Sequence, residues 1–447
     1  MKRFVALGMI AVILITTLTA CNKRIEINER VIVHAIGIDK ISDEYEISIQ
    51  IFAPSGAGAD TPIDTSKPNM KVVSKKGKSL VDGLVECEYI LGNDIFLGLA
   101  EFIVFGESMY QGNLREELDW LVKNNESNLG VTIAYCESTA KELLNVPLTE
   151  GSTSIENLSD VVKYSKEQGL AIRSDLLTVV NRLDEPLGNG VIPVLSIVAE
   201  EDQGNGSKSQ DSSSSSSSEE NSSSDQNSSS EKDSNSDSSS EQDSSSEQNS
   251  SSEESSSPSS DSGSSGSEES PEKSKEHQVT QHIEVKKTAV LKDKKIAGFI
   301  NRDEMSGLMW LTNEMEKITM DIEIKEDSKN TTVKRQIDFE NKKTSIKIIE
   351  NQDKIVLKVN ITAEVSILNY YTDKEKSQVR EACEKAIMEQ CESASKKVLE
   401  ELGADGFNIS KYTKFYEPKL YRAYEKNFQK IIDSIEADIS VKCEMIN

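Results

Sequence analysis

The residue of this sequence best placed for chemistry is Cys21, which directly follows Leu-Thr-Ala. A positively charged start, Met1-Lys2-Arg3, precedes an apolar run from Phe4 to Leu18. A charged start, a short apolar segment and small residues before a cut are typical of a secretory signal peptide. A cysteine immediately after the cut is typical of a bacterial lipoprotein signal. We therefore expect cleavage between Ala20 and Cys21, with residues 1–20 as the signal peptide.

Acylation of Cys21 would add a thioether-linked diacylglycerol and an amide-linked acyl chain such as palmitate. Two lipid signals together hold a protein stably on a membrane. The apolar run is shorter than the roughly 20 residues that a membrane-spanning helix needs. The alternatives are an uncleaved membrane helix or a plain secretory signal with an incidental cysteine. In the lipoprotein interpretation, the chain after Cys21 is extracytoplasmic and anchored to the cell membrane at one end.

Residues for other catalytic chemistry are few. The sequence holds three histidines, His34, His277 and His282. His34 lies in an apolar segment, which favours a core or edge role, and the other two have no carboxylate or cysteine at metal-ligand spacing. The sequence has no G-x-S-x-G nucleophile motif and no glycine-rich phosphate loop. We expect no catalytic residue, no metal site, no cofactor and no enzymatic activity.

Five cysteines remain besides Cys21, which is an odd number without a CxxC spacing. Cys383 and Cys391 lie eight residues apart in a helical pattern. At 1.5 Å per residue they are about 12 Å apart, too far for a disulfide. They are expected to be small buried residues on one helix face. The sequence does not decide whether Cys87 and Cys136 form a disulfide.

The acidity of the chain is concentrated in one segment. The formal net charge is −26, which argues against nucleic acid as a partner. Residues 205–276 hold 17 acidic residues and 4 lysines, so 17 − 4 gives 13 of those negative charges. This segment is rich in serine and has no aromatic residue, a composition that cannot bury enough apolar surface to fold. We expect residues 205–277 to be disordered.

The region before this segment, residues 21–204, alternates strand and helix patterns and is expected to form one or two α+β domains. Residues 31–39 and 45–51 predict a strand hairpin. Asp39, at the end of the first strand, could bind a partner, although a turn residue is the simpler interpretation. Residues 95–105 predict one buried strand, and residues 191–198 predict a strand near a sheet edge because Pro193 cannot donate a hydrogen bond.

The region after the segment, residues 278–447, predicts antiparallel strands covered by long helices. In residues 355–367 every second side chain from Ile355 is apolar, and those between them from Lys358 to Ser366 are polar, which indicates a sheet with one buried face. A capping box at Thr372 begins a helix with an apolar stripe, and Gly403 is suited to its end. A last helix is expected over residues 418–435 and a last strand over 437–443. Consecutive strands followed by helices favour the α+β class, with mixed or antiparallel sheets.

Several stretches together resemble one family, the lipoprotein C subunits of spore germinant receptors (the Ger(x)C family). No single motif is decisive, but their order and spacing are specific, and the likeness covers nearly the whole chain outside the serine-rich segment. The stretches are the lipoprotein signal followed by Arg24-Ile25-Glu26-Ile27-Asn28, Ala35-Ile36-Gly37-Ile38-Asp39, Arg173-Ser174-Asp175, Val191-Ile192-Pro193-Val194, Thr288 to Phe299, Gly307-Leu308-Met309-Trp310-Leu311 and Pro418-Lys419-Leu420-Tyr421.

Two features depart from the family pattern. Asn22 stands where relatives often carry an aromatic residue, and the serine-rich segment replaces a much shorter connection. The resemblance implies an α+β protein of three small domains on the outer face of the spore inner membrane. It also implies contact with two integral-membrane subunits, A-type and B-type, and a part in nutrient-triggered germination without chemistry of its own. The rival hypothesis is a solute-binding lipoprotein of a transporter, which would have two βαβ-rich lobes.

Overall fold

The computed structural model describes residues 30–53, 69–146, 154–199, 281–326, 331–351, 354–366 and 372–446, together with Arg3. Two sheets and the helices packed on them make up this part of the chain, which confirms the α+β class. The described residues on both sides of the serine-rich segment belong to one compact unit. The segment itself, predicted to be disordered, lies outside the described residues.

The first sheet is mixed and contains nine strands in the described residues, in the order β3-β2-β1-β5-β6-β7-β8-β9, with β4 also paired to β1. The pairs β1–β4, β1–β5, β5–β6 and β6–β7 are parallel. The pairs β1–β2, β2–β3, β7–β8 and β8–β9 are antiparallel. The strands are β1 Arg30–Ile41, β2 Glu44–Phe52, β3 Met70–Gly77, β4 Asp94–Phe96, β5 Phe102–Phe105, β6 Thr132–Cys136, β7 Gly190–Ala199, β8 Gln281–Lys292 and β9 Lys295–Ile300.

The second sheet has the strand order β10-β11-β12-β13 and carries the predicted alternation. Every second residue of β12 from Ile355 to Val365 is apolar and buried, and the residues between them are half-buried. The last strand runs parallel to β12 because helices connect the two strands. The strands are β10 Lys317–Glu326, β11 Thr331–Asn351, β12 Lys354–Ser366 and β13 Ile435–Ile446.

Helices cover both faces of the first sheet and the apolar face of the second. Gly403 ends the long helix and its π-helical extension, residues 396–401, in the left-handed conformation expected from the sequence. The helices are α1 Leu80–Leu91, α2 Leu114–Lys123, α3 Ala140–Leu144, α4 Ser154–Glu167, α5 Leu176–Leu183, α6 Arg302–Thr312, α7 Asp373–Ser395, α8 Ile409–Tyr416, α9 Pro418–Tyr424 and α10 Gln429–Ser434.

Strands from both sides of the serine-rich segment in sequence belong to the first sheet. Strands β7 and β8 form an antiparallel ladder that runs from the pair Gly190–Leu291 to the pair Ala199–Gln281. The residues that flank the segment are therefore direct neighbours in the sheet. Paired residues of an antiparallel ladder have Cα atoms about 4.5–5.5 Å apart.

The structure corrects two strand predictions. The apolar run 95–105 forms two strands rather than one, because the chain turns between them: the Ala100 amide donates to the Leu97 carbonyl, and the Phe96 ring occupies the space beside Gly98. Pro193 lies inside the sheet rather than near an edge, because β7 is flanked by both β6 and β8. The β6 ladder pairs only Val194 and Leu195 of β7, so Pro193 lies beyond it.

The predicted last helix, residues 418–435, is also broken into two. Helix α9 ends at Tyr424, and the chain turns there, with the Asn427 amide donating to the Tyr424 carbonyl. The turn brings Phe428 into the core, where it is almost fully buried and contacts the ring of Tyr421. Burial of this aromatic side chain outweighs continuation of one straight helix.

A short helix, α3, is held against the central strand β1 by two close approaches. The Asp39 carboxylate of β1 accepts hydrogen bonds from the amides of Ala140 (2.9 Å) and Lys141 (3.2 Å) at the start of this helix. At Gly37 a side chain would meet the Ala140 Cβ at 2.9 Å. At Gly106 a Cβ would lie 1.8 Å from an Asp39 carboxylate oxygen. Both glycines are therefore needed for close packing.

We predict that Gly106→Ala destabilises the protein because its methyl group displaces the Asp39 carboxylate from the start of α3. Overpacking of this kind costs about 1–3 kcal/mol. The measurement is the free energy of unfolding from urea denaturation. Gly130→Ala is the matched control, since a Cβ there meets only the Asn128 side chain, at 3.2 Å. Equal stability of the two variants would contradict the predicted role of Gly106.

Candidate functional site

The described cysteines are all free and buried, so Cys87 and Cys136 form no disulfide. Burial raises the pKa of Cys87 to about 11 and the pKa of Cys136, Cys383 and Cys443 to about 12. It also raises the pKa of Cys391. A thiolate, not a thiol, is the reactive form of cysteine. These five side chains are therefore packing residues, as predicted for Cys383 and Cys391.

The described histidines lie apart and each faces a glutamate. His34 of β1 is half-buried, with Nδ1 3.7 Å from the carboxylate of Glu101. His282 of β8 contacts the Glu284 carboxylate at 2.6 Å. Within the described ranges, no group of three or more potential metal ligands comes together. His277 lies outside them.

Asp39 is a strand residue that caps a helix, and it is neither a turn residue nor an exposed acid. Only 2% of it is exposed. Burial raises its pKa, and the amide hydrogen bonds from Ala140 and Lys141 act in the opposite direction. Both carboxylate oxygens are engaged, so Asp39 positions α3 rather than contacting a partner.

An apolar groove lies between α1 and α2, close to where β1 begins. Its volume is about 420 Å³, with Glu88, Lys123 and Asn124 among its polar residues. Trp120 of α2 lines it, and the buried indole Nε1 has no hydrogen-bond partner among the described residues. The apolar lining is Val81, Leu84, Val85, Ile95, Leu97 and Trp120.

The first described residue of β1 is fixed beside this groove. The Arg30 guanidinium pairs with Glu126 at 3.0 Å and lies over the Phe96 ring, 5.2 Å from its centroid. Arg30 and the next residue, Val31, pair with Asp94 and Ile95 of β4. Since Ile95 lines the groove, β1 begins beside this groove.

A polar cleft lies between α5 and α8 and has a volume of about 600 Å³. Arg182 crosses it to Glu314 at 3.0 Å. Burial raises the pKa of Glu185, whereas nearby Lys414 and Lys411 act to lower it. Opposite charges balance inside this cleft, which leaves a mixed surface rather than a site selective for one sign of charge.

Asp405, which sequence reasoning missed, holds one wall of this cleft. Its carboxylate accepts hydrogen bonds from the amides of Ile409 (2.6 Å) and Ser410 (2.7 Å) at the start of α8. Its own amide donates to the Asn189 side chain at 3.3 Å. Burial raises its pKa, with the Ser410 hydrogen bonds acting most strongly against that rise. An aspartate in a glycine-containing turn before a helix was the available signal.

Cys21, predicted as the lipid attachment site, lies outside the described residues, as does the predicted cleavage site. No helix in the described ranges is long and apolar enough to cross a membrane.

Two regions of the chain match known spore germination proteins. The sequence model described as "Spore germination protein N-terminal domain" matches residues 23–197. The one described as "Spore germination B3/GerAC like, C-terminal" matches residues 286–447. The α+β body is thus made of two spore germination regions separated by the serine-rich segment. The chain belongs to the Ger(x)C family of spore germination proteins.

Individual relatives are distant. A protein of Bacillus subtilis (strain 168) described as a spore germination protein, YfkR, is 24% identical over 148 residues, which are 32% of this chain and 38% of the relative. The match therefore spans well under half of that curated relative. The crystal structure of the GerBC protein aligns with 92% of this chain and 97% of its own, at a TM-score of 0.48 and 13% identity.

We predict that the wild-type protein loses stability relative to Asp405→Asn as the pH rises. Because folding raises the pKa of Asp405, the folded protein binds this proton more tightly than the unfolded chain does. Its contribution to stability is therefore fully present below the unfolded pKa of about 3.9 and declines as the pH rises to the folded pKa. The decline is about 1.4 kcal/mol per pH unit in that window.

The measurement is urea denaturation of wild type and variant at a series of pH values from about 4 upward. Asp373→Asn, at the exposed first turn of α7, removes the same charge as a control. Parallel stability profiles for wild type and Asp405→Asn would contradict the assignment.

Proposed function

We propose that this protein is a membrane-anchored lipoprotein subunit of a spore germinant receptor that acts in nutrient-triggered germination through protein–protein contact rather than catalysis. The observation that carries the proposal is the pair of germination matches, which together span most of the chain. The first match begins at residue 23, two residues after Cys21. The proposed lipoprotein signal would therefore immediately precede the first germination match.

The proposed location is the extracytoplasmic face of the spore inner membrane, with S-diacylglycerol and N-acyl groups on Cys21 as the anchor. The proposed partners are two integral-membrane subunits, one A-type and one B-type. A role without catalysis is supported by the described thiols and by the carboxylates of Asp39 and Asp405, which are engaged in packing and helix capping. The division of the chain at residues 204 and 278 stays a prediction.

Replacement of the lipid cysteine tests the anchor. We expect Cys21→Ser to abolish incorporation of labelled palmitate and to shift the protein out of the detergent phase, since both acyl chains depend on that cysteine. Asn22→Ser, one residue further on, is the matched control and should stay in the detergent phase. Retention of label in Cys21→Ser would contradict acylation at this residue.

Affinity capture tests the partners. The chain carries a C-terminal tag, membranes from dormant spores are solubilised in mild detergent, and co-purifying proteins are identified by mass spectrometry. We expect two polytopic membrane proteins in amounts comparable with the tagged chain. Capture of an ATP-binding cassette permease would favour the solute-binding alternative, and isolation without any partner would contradict the receptor-subunit proposal.

A further inference from the structure

The groove between α1 and α2 has the dimensions and lining of a binding site for a short apolar segment. Its floor includes Leu84 and Leu97, which are almost fully buried, and Val81 on its wall is 49% exposed. The indole Nε1–H of Trp120 is buried without a partner among the described residues. An indole N–H can only donate, so the missing group is an acceptor such as a peptide carbonyl. Apolar lining with one unmet donor fits a peptide better than a polar solute.

The segment that ends at this groove has a matching sequence. Residues 24–28 read Arg-Ile-Glu-Ile-Asn. In an extended chain Ile25 and Ile27 lie on one side, about 7 Å apart, and the polar residues lie on the other. Ile27 is three residues before Arg30, a reach of about 10 Å. Because Arg30 pairs with the strand that supplies Ile95 to the groove, both isoleucines are within range of it.

We propose that residues 24–28 of this chain dock in the groove between α1 and α2, with Ile25 and Ile27 against its apolar floor and a backbone carbonyl accepting from Trp120. Charges at the rim are complementary: the groove carries Glu88 and Lys123, and the segment carries Arg24 and Glu26. The docking itself does not require acylation of Cys21.

Docking has a consequence that rests on the proposed lipid anchor. Arg30 is nine residues after Cys21, which allows a reach of about 30 Å. When Ile25 is bound in the groove, the free tether runs only from Cys21 to the fourth residue after it, and the reach falls to about 14 Å. The body is then held close to the membrane, with the groove end toward it.

Cysteine cross-linking in the full chain tests the docked arrangement. In a Cys21→Ser background, the pair Ile27→Cys with Val81→Cys is oxidised and compared with the pair Glu26→Cys with Val81→Cys. Both pairs have nearly the same reach, but in the proposed docked segment residue 26 would face away from the groove. The native cysteines that the structure describes are buried, so the introduced pair reacts selectively.

We expect an intramolecular disulfide several-fold more abundant for the 27–81 pair than for the 26–81 pair. Equal yields would show that the segment passes the groove without binding and would overturn the proposal. Cross-links mainly to a second copy or to another protein would also overturn it, by assigning the groove to an external partner. Because Cys21 is replaced in both chains, failure of docking is distinguishable from failure of the proposed anchor.

Tryptophan quenching provides a second readout without introduced cysteines. The chain has two tryptophans, and Trp310 is fully buried, so acrylamide quenching reports mainly on Trp120. We expect the double variant Ile25→Asp with Ile27→Asp to increase the quenching slope in the full chain. The variant Asn22→Asp with Lys23→Gln adds the same charge outside the docked segment and should leave the slope unchanged. An unchanged slope in the isoleucine variant would overturn the proposal.

Discussion

The hydrogen bonds between Asp39 and the start of α3 join the central strand of the first sheet to a helix packed on it. The acid belongs to the central strand β1, and its two oxygens meet the amides of Ala140 and Lys141. A helix start presents unpaired amides and a partial positive charge, so a carboxylate is well suited there. The low exposure of Asp39 makes its replacement costly, because those amides would remain buried without acceptors.

Two glycines make this interaction possible by removing side chains where backbone and carboxylate approach. Gly37 lets β1 contact Ala140, and Gly106 leaves room for the carboxylate itself. The sequence Ala35-Ile36-Gly37-Ile38-Asp39 is thus a packing motif. Its glycine and aspartate act on one helix, two residues apart on the same side of a strand. Asp405 does the same at another helix: its carboxylate accepts hydrogen bonds from amides at the start of α8.

Local sequence patterns predicted the elements whose burial is one-sided. The alternation in β12 predicted the observed strand, and the capping box at Thr372 predicted the start of the observed helix. Interruptions within a predicted strand were harder to predict, since the division of residues 95–105 into two strands depends on the Phe96 ring beside Gly98. Pro193 was misplaced because a proline reports only a missing donor. Here the short β6 ladder ends before Pro193, which pairs with Thr288 of β8 within an interior strand.

The groove could not be predicted from periodicity, because its walls come from two helices and a strand, α1, α2 and β4, whose packing against one another no local pattern specifies. Asp39 was noticed but misinterpreted, since its helix partner is about 100 residues away. Asp405 carried a recognisable capping signal, although its burial depends on contacts such as that with Asn189. Family membership came from the order of many weak motifs along the chain.

The neighbouring positions of Ala199 and Gln281 have a consequence for how this chain can change. For the folded body, everything from residue 200 to residue 280 is the connection of a single hairpin. The entropy of closing such a connection rises only with the logarithm of its length, so each doubling costs about 0.6 kcal/mol. Length and composition there are nearly independent of folding. The serine-rich tract can therefore lengthen, shorten or be replaced under selection for its own properties, while the sheet that joins the two germination regions is preserved.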